Sequence, residues 1–345
     1  MKRIAILGHF AFGREACNGQ TIKTKIVTKE LQRVFGEADI TLADTYGGWR
    51  FVVRMPFVIL RLLASHRNLI IFPASGSSRV LPIVMAAENL FFHRRLHHVA
   101  IGSQLPRWTG GSRLLRRSLS TFYGIYVETQ FMKEQLNNLG LDNVKVMSNC
   151  KSLHILDKEE LPKAITPTPF KLCTFSRVRE EKGIADAIEA VKRCNETSGR
   201  TLFTLDIYGQ IEQQEWFSTL MKDQPSEICY KGIVPYGEST EVLRNYFLLL
   251  FPTRYKIEGF AGTLIDAMAA GLPVVASDCR SNIEIIEEGK TGVLYRLGSV
   301  DELTEKLSHI AKNPGMIEQM RPYCISKAWQ YQPANTVKTL AERLQ

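Results

Sequence analysis

No uninterrupted apolar run in this 345-residue chain approaches the roughly 18 residues that a membrane span needs, so a spanning anchor is not expected. Lys2-Arg3 ahead of IAILG has the look of a secretory signal, but His9 and Arg14 break its apolar part. It reads instead as a first buried strand. The cysteines (Cys17, Cys150, Cys173, Cys194, Cys229, Cys279, Cys324) are odd in number and form no CxxC pair. That excludes a disulfide frame and a zinc ribbon and suits buried thiols in a reducing, cytoplasmic setting. The first strand is not followed by GxGxxG: the loop from His9 to Gln20 offers only Gly13 and Gly19, so a dinucleotide fingerprint is unsupported. Repeats and low-complexity segments are also missing.

Positive charge is plentiful. Lys and Arg number 44 against 35 Asp and Glu, a net charge of +9, which asks for an anionic partner: a nucleotide, a phospholipid surface or a nucleic acid. Residues 49–67 thread Arg50, Arg54, Arg61 and Arg67 through an apolar stretch, with Pro56 as a helix start or kink. Arg113, Arg116 and Arg117 do the same in SRLLRRSLSTFYG. Two readings stand: segments that lie on an anionic membrane, or core-facing helices with a solvated basic side.

The length admits two α/β domains. Apolar runs over 4–8, 69–75, 97–106, 124–130 and 145–150 read as strands, with helical spacing over 21–35 and 131–139. His97 and His98 are expected at a strand start, at the surface or the core edge. Pro162, Pro167 and Pro169 among charges give 157–170 the composition of a linker. Beyond it, strands are expected over 171–176, 205–210, 229–235 and 248–251, and helices over 183–194, 300–312 and much of 316–345. Alternating elements of this kind predict a doubly wound parallel sheet in each half.

The chain is organised around LLLFPTRYKIEGFAGTLIDAMAAGLPVVASD, residues 248–278. A buried strand ends at Phe251, a Gly-bearing turn runs to Gly262, and a helix spans Thr263–Ala270, closed by Gly271. The first amides of such a helix have no partner inside it and face its positive dipole end, so they suit an anion. Gly259 and Gly262 admit a phosphate close to the backbone. Glu258 and Asp266 flank this seat. Carboxylates beside a phosphate suit hydroxyl groups, such as those of a sugar and a ribose. The same residues also fit an ordinary strand–turn–helix with a solvated acidic face.

The stretch resembles the Glu-x7-Glu signature of glycosyltransferase family 4, retaining, nucleotide-sugar-dependent enzymes of the GT-B fold. Glu258 matches the first acid, and Asp266 stands where the family usually has the second Glu, one methylene shorter. Upstream, Arg177 and Lys182 in SRVREEKG resemble the family's Arg…Lys-Gly element, two cations in one loop that hold a diphosphate. The resemblance covers about 170–330 strongly and 1–150 weakly.

The resemblance implies two Rossmann-like domains facing a cleft, an acceptor domain over 1–160 and a donor domain over 168–327, with a C-terminal helix (about 328–345) crossing back to the first. It assigns Glu258, Arg177 and Lys182 to catalysis. Donor binding goes to Gly19, Gly209, Ile233, Gly259, Phe260, Ala261, Gly262, Thr263 and Asp266. The loop position where the family often has a histidine holds Ser103 and Gln104 here, a possible sugar or acceptor contact. With no Asp-x-Asp in the sequence, neither metal nor cofactor is expected: Arg177, Lys182 and the helix N-terminus neutralise the leaving diphosphate. The implied activity is retaining transfer of a hexose from a nucleoside diphosphate sugar to a glycan, lipid-linked acceptor. Its setting is bacterial surface polysaccharide synthesis (capsule, lipopolysaccharide or exopolysaccharide), on the cytoplasmic face of the membrane. A phosphorylase or sugar-nucleotide epimerase on the same scaffold is the rival. A basic nucleic-acid binder is the remote alternative, since the sharpest motif contains acids.

Overall fold

The apolar runs form two separate six-stranded sheets, parallel throughout, in the computed structural model. It describes residues 2–12, 19–46, 49–74, 76–162, 168–235 and 237–345, the side chains of 2 and 49–52 excepted. Gly13, Arg14, Cys17, Pro167 and the side chain of Arg50 fall outside that description.

The first unit comprises Met1–Ser152 and Tyr331–Gln345. Its strands are β1 (Lys2–Gly8), β2 (Ile40–Asp44), β3 (His66–Phe72), β4 (Arg95–Val99), β5 (Gly124–Val127) and β6 (Val144–Val146), in the order β2-β1-β3-β4-β5-β6. Its helices are α1 (Gly19–Phe35), α2 (Trp49–Ser65), α3 (Leu81–Asn89), α4 (Leu105–Gly110), α5 (Arg113–Ser120) and α6 (Gln130–Asn137). Strands buried on both faces read as unbroken apolar runs rather than alternating ones, as LIIF in β3 does. On one face Ala5, Leu7, Leu69 and Ile71 pack against Met55 and Ile59 of α2, Met85 of α3 and Leu115 of α5. On the other, Ile4, Ile6 and Ile70 meet Val27 and Leu31 of α1 and, from the end of the chain, Val337, Leu340 and Leu344. Asn68 Nδ2 also donates to the Leu344 carbonyl (3.2 Å), tying the tail to β3.

The second unit is Leu153–Gln330. It contains β7 (Phe170–Phe175), α7 (Ile184–Ser198), β8 (Phe203–Tyr208), α8 (Gln214–Met221), β9 (Ile228–Gly232), α9 (Ser239–Leu243), β10 (Leu248–Phe251), α10 (Gly262–Ala269), β11 (Val274–Ser277), α11 (Arg280–Ile285), β12 (Gly292–Tyr295), α12 (Val300–Lys312) and α13 (Gly315–Trp329). The sheet order β12-β11-β10-β7-β8-β9 is that of a complete doubly wound sheet, three strands to each side of the point between β7 and β10 where the order reverses. Ile184, Ile188 and Val191 of α7 and Leu303 and Leu307 of α12 pack on Leu172, Leu205 and Leu250. Beside α10 and α13 the Arg321 guanidinium is buried, donating to the carbonyls of Gly271 and Tyr246 (both 3.2 Å).

Several expectations are corrected. His97 and His98 sit inside β4 and are buried, because the strand begins at Arg95. His97 Nδ1 meets Tyr126 Oη (3.1 Å) and Nε2 meets Asn68 Oδ1 (3.3 Å). Burial pushes the His97 imidazole down to about 3, helped by Arg343 and Arg95, and that of His98 down to about 4. The strand expected over 145–150 is confined to Val144–Val146. The units part between Ser152 and Leu153, ahead of the proline-bearing segment. Of the two readings of Pro56, a helix start is excluded, since the proline lies within α2. Among the described residues no helix is long and apolar enough to cross a membrane.

Candidate functional site

In doubly wound sheets, ligands bind beyond the carboxyl ends of the strands where the strand order reverses. In the second unit that point lies between β7 and β10, which are hydrogen-bonded neighbours. The loops leaving them are Ser176–Gly183 and Pro252–Ala261, the two segments that carry Arg177, Lys182 and Glu258. Pairing of β7 with β10 therefore brings together residues far apart in sequence.

The two loops are stapled to each other. The Arg254 amide donates to the Glu181 carbonyl (2.9 Å), and Arg254 Nε donates to Asp186 Oδ2 of α7 (2.8 Å). Gly183 has φ 69°, and a Cβ there would run into the Pro252 carbonyl; only glycine permits this approach. Across the staple, Lys182 Nζ lies 2.7 Å from Glu258 Oε2, the two side chains 14% and 12% exposed. Thr253 Oγ1 lies 2.9 Å from the same carboxylate oxygen.

Arg177 stands apart from that pair. Its side chain is 62% exposed and bonds Glu212 (2.8 Å). Arg179 grips Glu181 (2.8 Å) and reaches Glu212 (3.4 Å); its hydrogen bond holds the Glu181 carboxyl down to about 2. Arg177 is thus presented to solvent at the mouth of the site, Lys182 in its floor.

The helix start expected at Thr263 falls one residue earlier. Ala261 is the N-cap and Gly262 the first helical residue of α10, and no side chain caps the first turn, which leaves amides for an anion. Thr263 Oγ1 donates to the Phe175 carbonyl (2.6 Å), pinning α10 to the end of β7. Phe260 is buried and anchors the turn, while Gly259 and Ala261 are half-buried. Gly209, φ 137°, follows β8 with its Cα against the Ser176 carbonyl, where a Cβ would collide, and Ile233 is exposed just past β9. Asp266, by contrast, is buried and accepts from Ser239 Oγ of α9 (2.9 Å).

Gly19, Ser103 and Gln104 belong to the first unit. Gly19 opens α1, and a Cβ there meets nothing within 4 Å, so the backbone does not require glycine. Ser103 and Gln104 occupy the turn between β4 and α4 and are half-buried. Among the described residues no three His, Cys, Asp or Glu side chains gather as a metal cluster.

Sequence reasoning missed Thr253, Arg254, Asp186 and the serines that support the Glu258 loop. Thr253 had one usable signal, its place two residues after the end of β10 and five before Glu258. Asp186 had none, since a helix-start Asp is commonplace.

Comparison with known proteins agrees with this geometry. The family model described as glycosyl transferases group 1 matches residues 157–328, most of the second unit. The amylovoran biosynthesis glycosyltransferase AmsK of Erwinia amylovora is 31% identical over 150 residues, 42% of this chain and 36% of that protein. Lipopolysaccharide 1,6-galactosyltransferase of Salmonella typhimurium is 30% identical over 95 residues, covering 25% of this chain and 26% of that one. The alignment thus spans about a third of these relatives or less. Over 99% of both chains the fold superposes on Anabaena HepE, solved with UDP, with a TM-score of 0.78 and 15% identity. The lipopolysaccharide outer core galactosyltransferase WaaB gives 0.70 at 15%, again over 99% of both; at that identity the likeness speaks for the fold. Residues 157–328 match the glycosyl transferases group 1 family model, in a chain of two Rossmann-like units with the fold of GT-B glycosyltransferases.

Proposed function

We propose that this protein is a retaining glycosyltransferase of family 4. It moves a hexose from a nucleoside diphosphate sugar to a glycan acceptor carried on a lipid, in the synthesis of a bacterial surface polysaccharide. The observation that carries the reading is the Lys182–Glu258 pair at the switch point (2.7 Å), beside the uncapped start of α10.

As the bond from the anomeric carbon to the diphosphate breaks, negative charge grows on the leaving phosphate. A group that neutralises charge only as it develops lowers the barrier. An ammonium has three donors, and Lys182 commits one to Glu258 and keeps the rest for phosphate oxygens. Arg177 adds a guanidinium fork from the rim, and the α10 amides add fixed dipoles. Glu258, bonded through Oε2, offers its other oxygen to sugar hydroxyls. The proton of the attacking acceptor hydroxyl passes to the leaving phosphate. Retention follows the family 4 resemblance and is testable from the product anomer. In this reading no divalent ion takes part, and Gly209, Ile233 and Asp266 serve the nucleoside.

Residues on the outside of the first unit support an anionic membrane surface as partner. On α2, Val53, Phe57 (75% exposed) and Leu60 form one stripe at helical spacing, flanked by exposed Arg54 and Arg61. On α5, Leu114 is exposed next to Arg113 and Arg117.

Thermal stabilisation by UDP, GDP, ADP, TDP and CMP, measured in EDTA on wild type and on Arg177→Ala/Lys182→Ala, tests the donor site. One nucleoside diphosphate should raise Tm in wild type alone. A flat panel sinks the sugar-nucleotide reading, and oligonucleotide binding would be measured next. Salt-sensitive sedimentation with anionic vesicles tests the surface.

A further inference from the structure

The segment that presents Glu258 rests on a third loop, which the function proposed above leaves without a role. After β11 the chain turns through Ser277, Asp278 and Cys279 into α11. Ser277, Ser281 and Asn282 are buried there, although short polar side chains prefer solvent unless hydrogen-bonded. Ser277 Oγ donates to the Thr253 carbonyl (2.6 Å), and Asn282 Nδ2 donates to the Ser277 carbonyl (2.9 Å). Ser281 Oγ donates to the Glu258 carbonyl (2.6 Å). Both ends of the segment 253–258 are therefore held by hydroxyls from below.

Within the segment Thr253 is fully buried. Its Oγ1 receives the Tyr255 amide (3.2 Å) and has one proton to give. Of the two oxygens in reach, Glu258 Oε2 is nearer (2.9 Å) than the Glu181 carbonyl (3.3 Å), and a charged acceptor is the stronger. Lys182 takes the same Oε2. Two donors converging on one oxygen restrain the carboxylate and leave Oε1 for a ligand.

We infer that Thr253 is a positioning residue for Glu258, with Ser281 as a secondary support, so that Oε1 alone meets the donor sugar while Oε2 is consumed by Thr253 and Lys182. This rests on the function proposed above. Thr253 does not touch the reacting atoms; it acts through the carboxylate.

Thr253→Val removes the hydroxyl at constant shape, and Thr253→Ser keeps it. Unliganded crystal structures come first: in Thr253→Val the Glu258 carboxylate should rotate off Lys182, and in Thr253→Ser it should stay. UDP affinity by calorimetry and UDP-glucose turnover follow. In Thr253→Val kcat should fall by about a hundred-fold, the scale of a misplaced reacting group, with UDP affinity kept within about two-fold, since phosphate contacts are untouched. Thr253→Ser should restore kcat, and Ser281→Ala should lose about ten-fold, because it relaxes only the backbone. A carboxylate unmoved in Thr253→Val overturns the inference, and so does a UDP affinity that falls in step with kcat. If wild type neither binds UDP nor turns over UDP-glucose, the donor carries another nucleotide of the panel or the function proposed above fails, and the crystal structures still decide what Thr253 does.

Discussion

Each unit holds a lysine–glutamate pair in its interior half, and the two pairs differ in one respect. Lys182 and Glu258 lie at a switch point, 14% and 12% exposed. Lys23 of α1 and Glu128, just past β5, lie 2.6 Å apart and are 3% and 4% exposed, with Lys23 Nζ also near the Ala100 carbonyl (3.4 Å). The chemistry is the same; access separates a structural lock from a site. A sealed pair spends both charges on each other, at a desolvation cost that makes it poor evidence for stability. A pair with an open side keeps donors and an acceptor free for a ligand, and this is where function concentrates.

The comparison breaks first at the sealed pair. Lys23→Met takes the ammonium away from the buried Glu128 carboxylate and should cost about 3–5 kcal/mol, read by denaturant unfolding; Lys23→Met/Glu128→Leu should recover much of it. An undiminished midpoint in the single variant would mean that the pair is not sealed. At the open pair the loss should be catalytic instead. Lys182→Met should lower turnover on the order of 100- to 1,000-fold with little change in Tm, and equal losses of Tm at both sites would erase the distinction.

A smaller effect separates the units by pH. His97 and His98 are folded in neutral form, with values held below the ordinary imidazole. The unfolded chain then binds more protons below about pH 6.5, so stability falls as pH drops from there toward 4. Each imidazole contributes at most about 1.4 kcal/mol per pH unit. The first unit should lose Tm between pH 7 and 5, and His98→Phe should flatten the slope. Smallest of all, Phe57→Ser on α2 should leave Tm unchanged, as exposed sites do, and weaken retention on anionic vesicles.

Much of the site was legible because its loops announce themselves. Strand, glycine turn and helix follow in sequence around Glu258, and the Arg177–Lys182 loop has the same form. What the sequence could not state is which atoms meet. Lys182 and Glu258 are 76 residues apart, and only the adjacency of β7 and β10 makes them a pair. Asp266 reads by motif as an acceptor for hydroxyls, and the hydroxyl that the structure sets against its carboxylate is that of Ser239. The histidines of β4 were read at a strand end because polar residues usually mark edges. Here Tyr126 and Asn68 supply partners to His97 from neighbouring strands, which no local pattern reveals. The unit boundary was misplaced for a related reason: prolines and charges mark exposed chain, and exposed chain need not be where packing changes hands.

The return of Tyr331–Gln345 to the first unit makes the second unit an insertion within it. On the ribosome, chain growth delivers every residue of the second sheet before the first has its last helical cover. Until Val337, Leu340 and Leu344 emerge, the face built on Ile4, Ile6 and Ile70 stays wet. The unit translated first is therefore the unit completed last, and a chain stopped at Gln330 carries a finished second unit beside a first one that lacks part of its apolar cover.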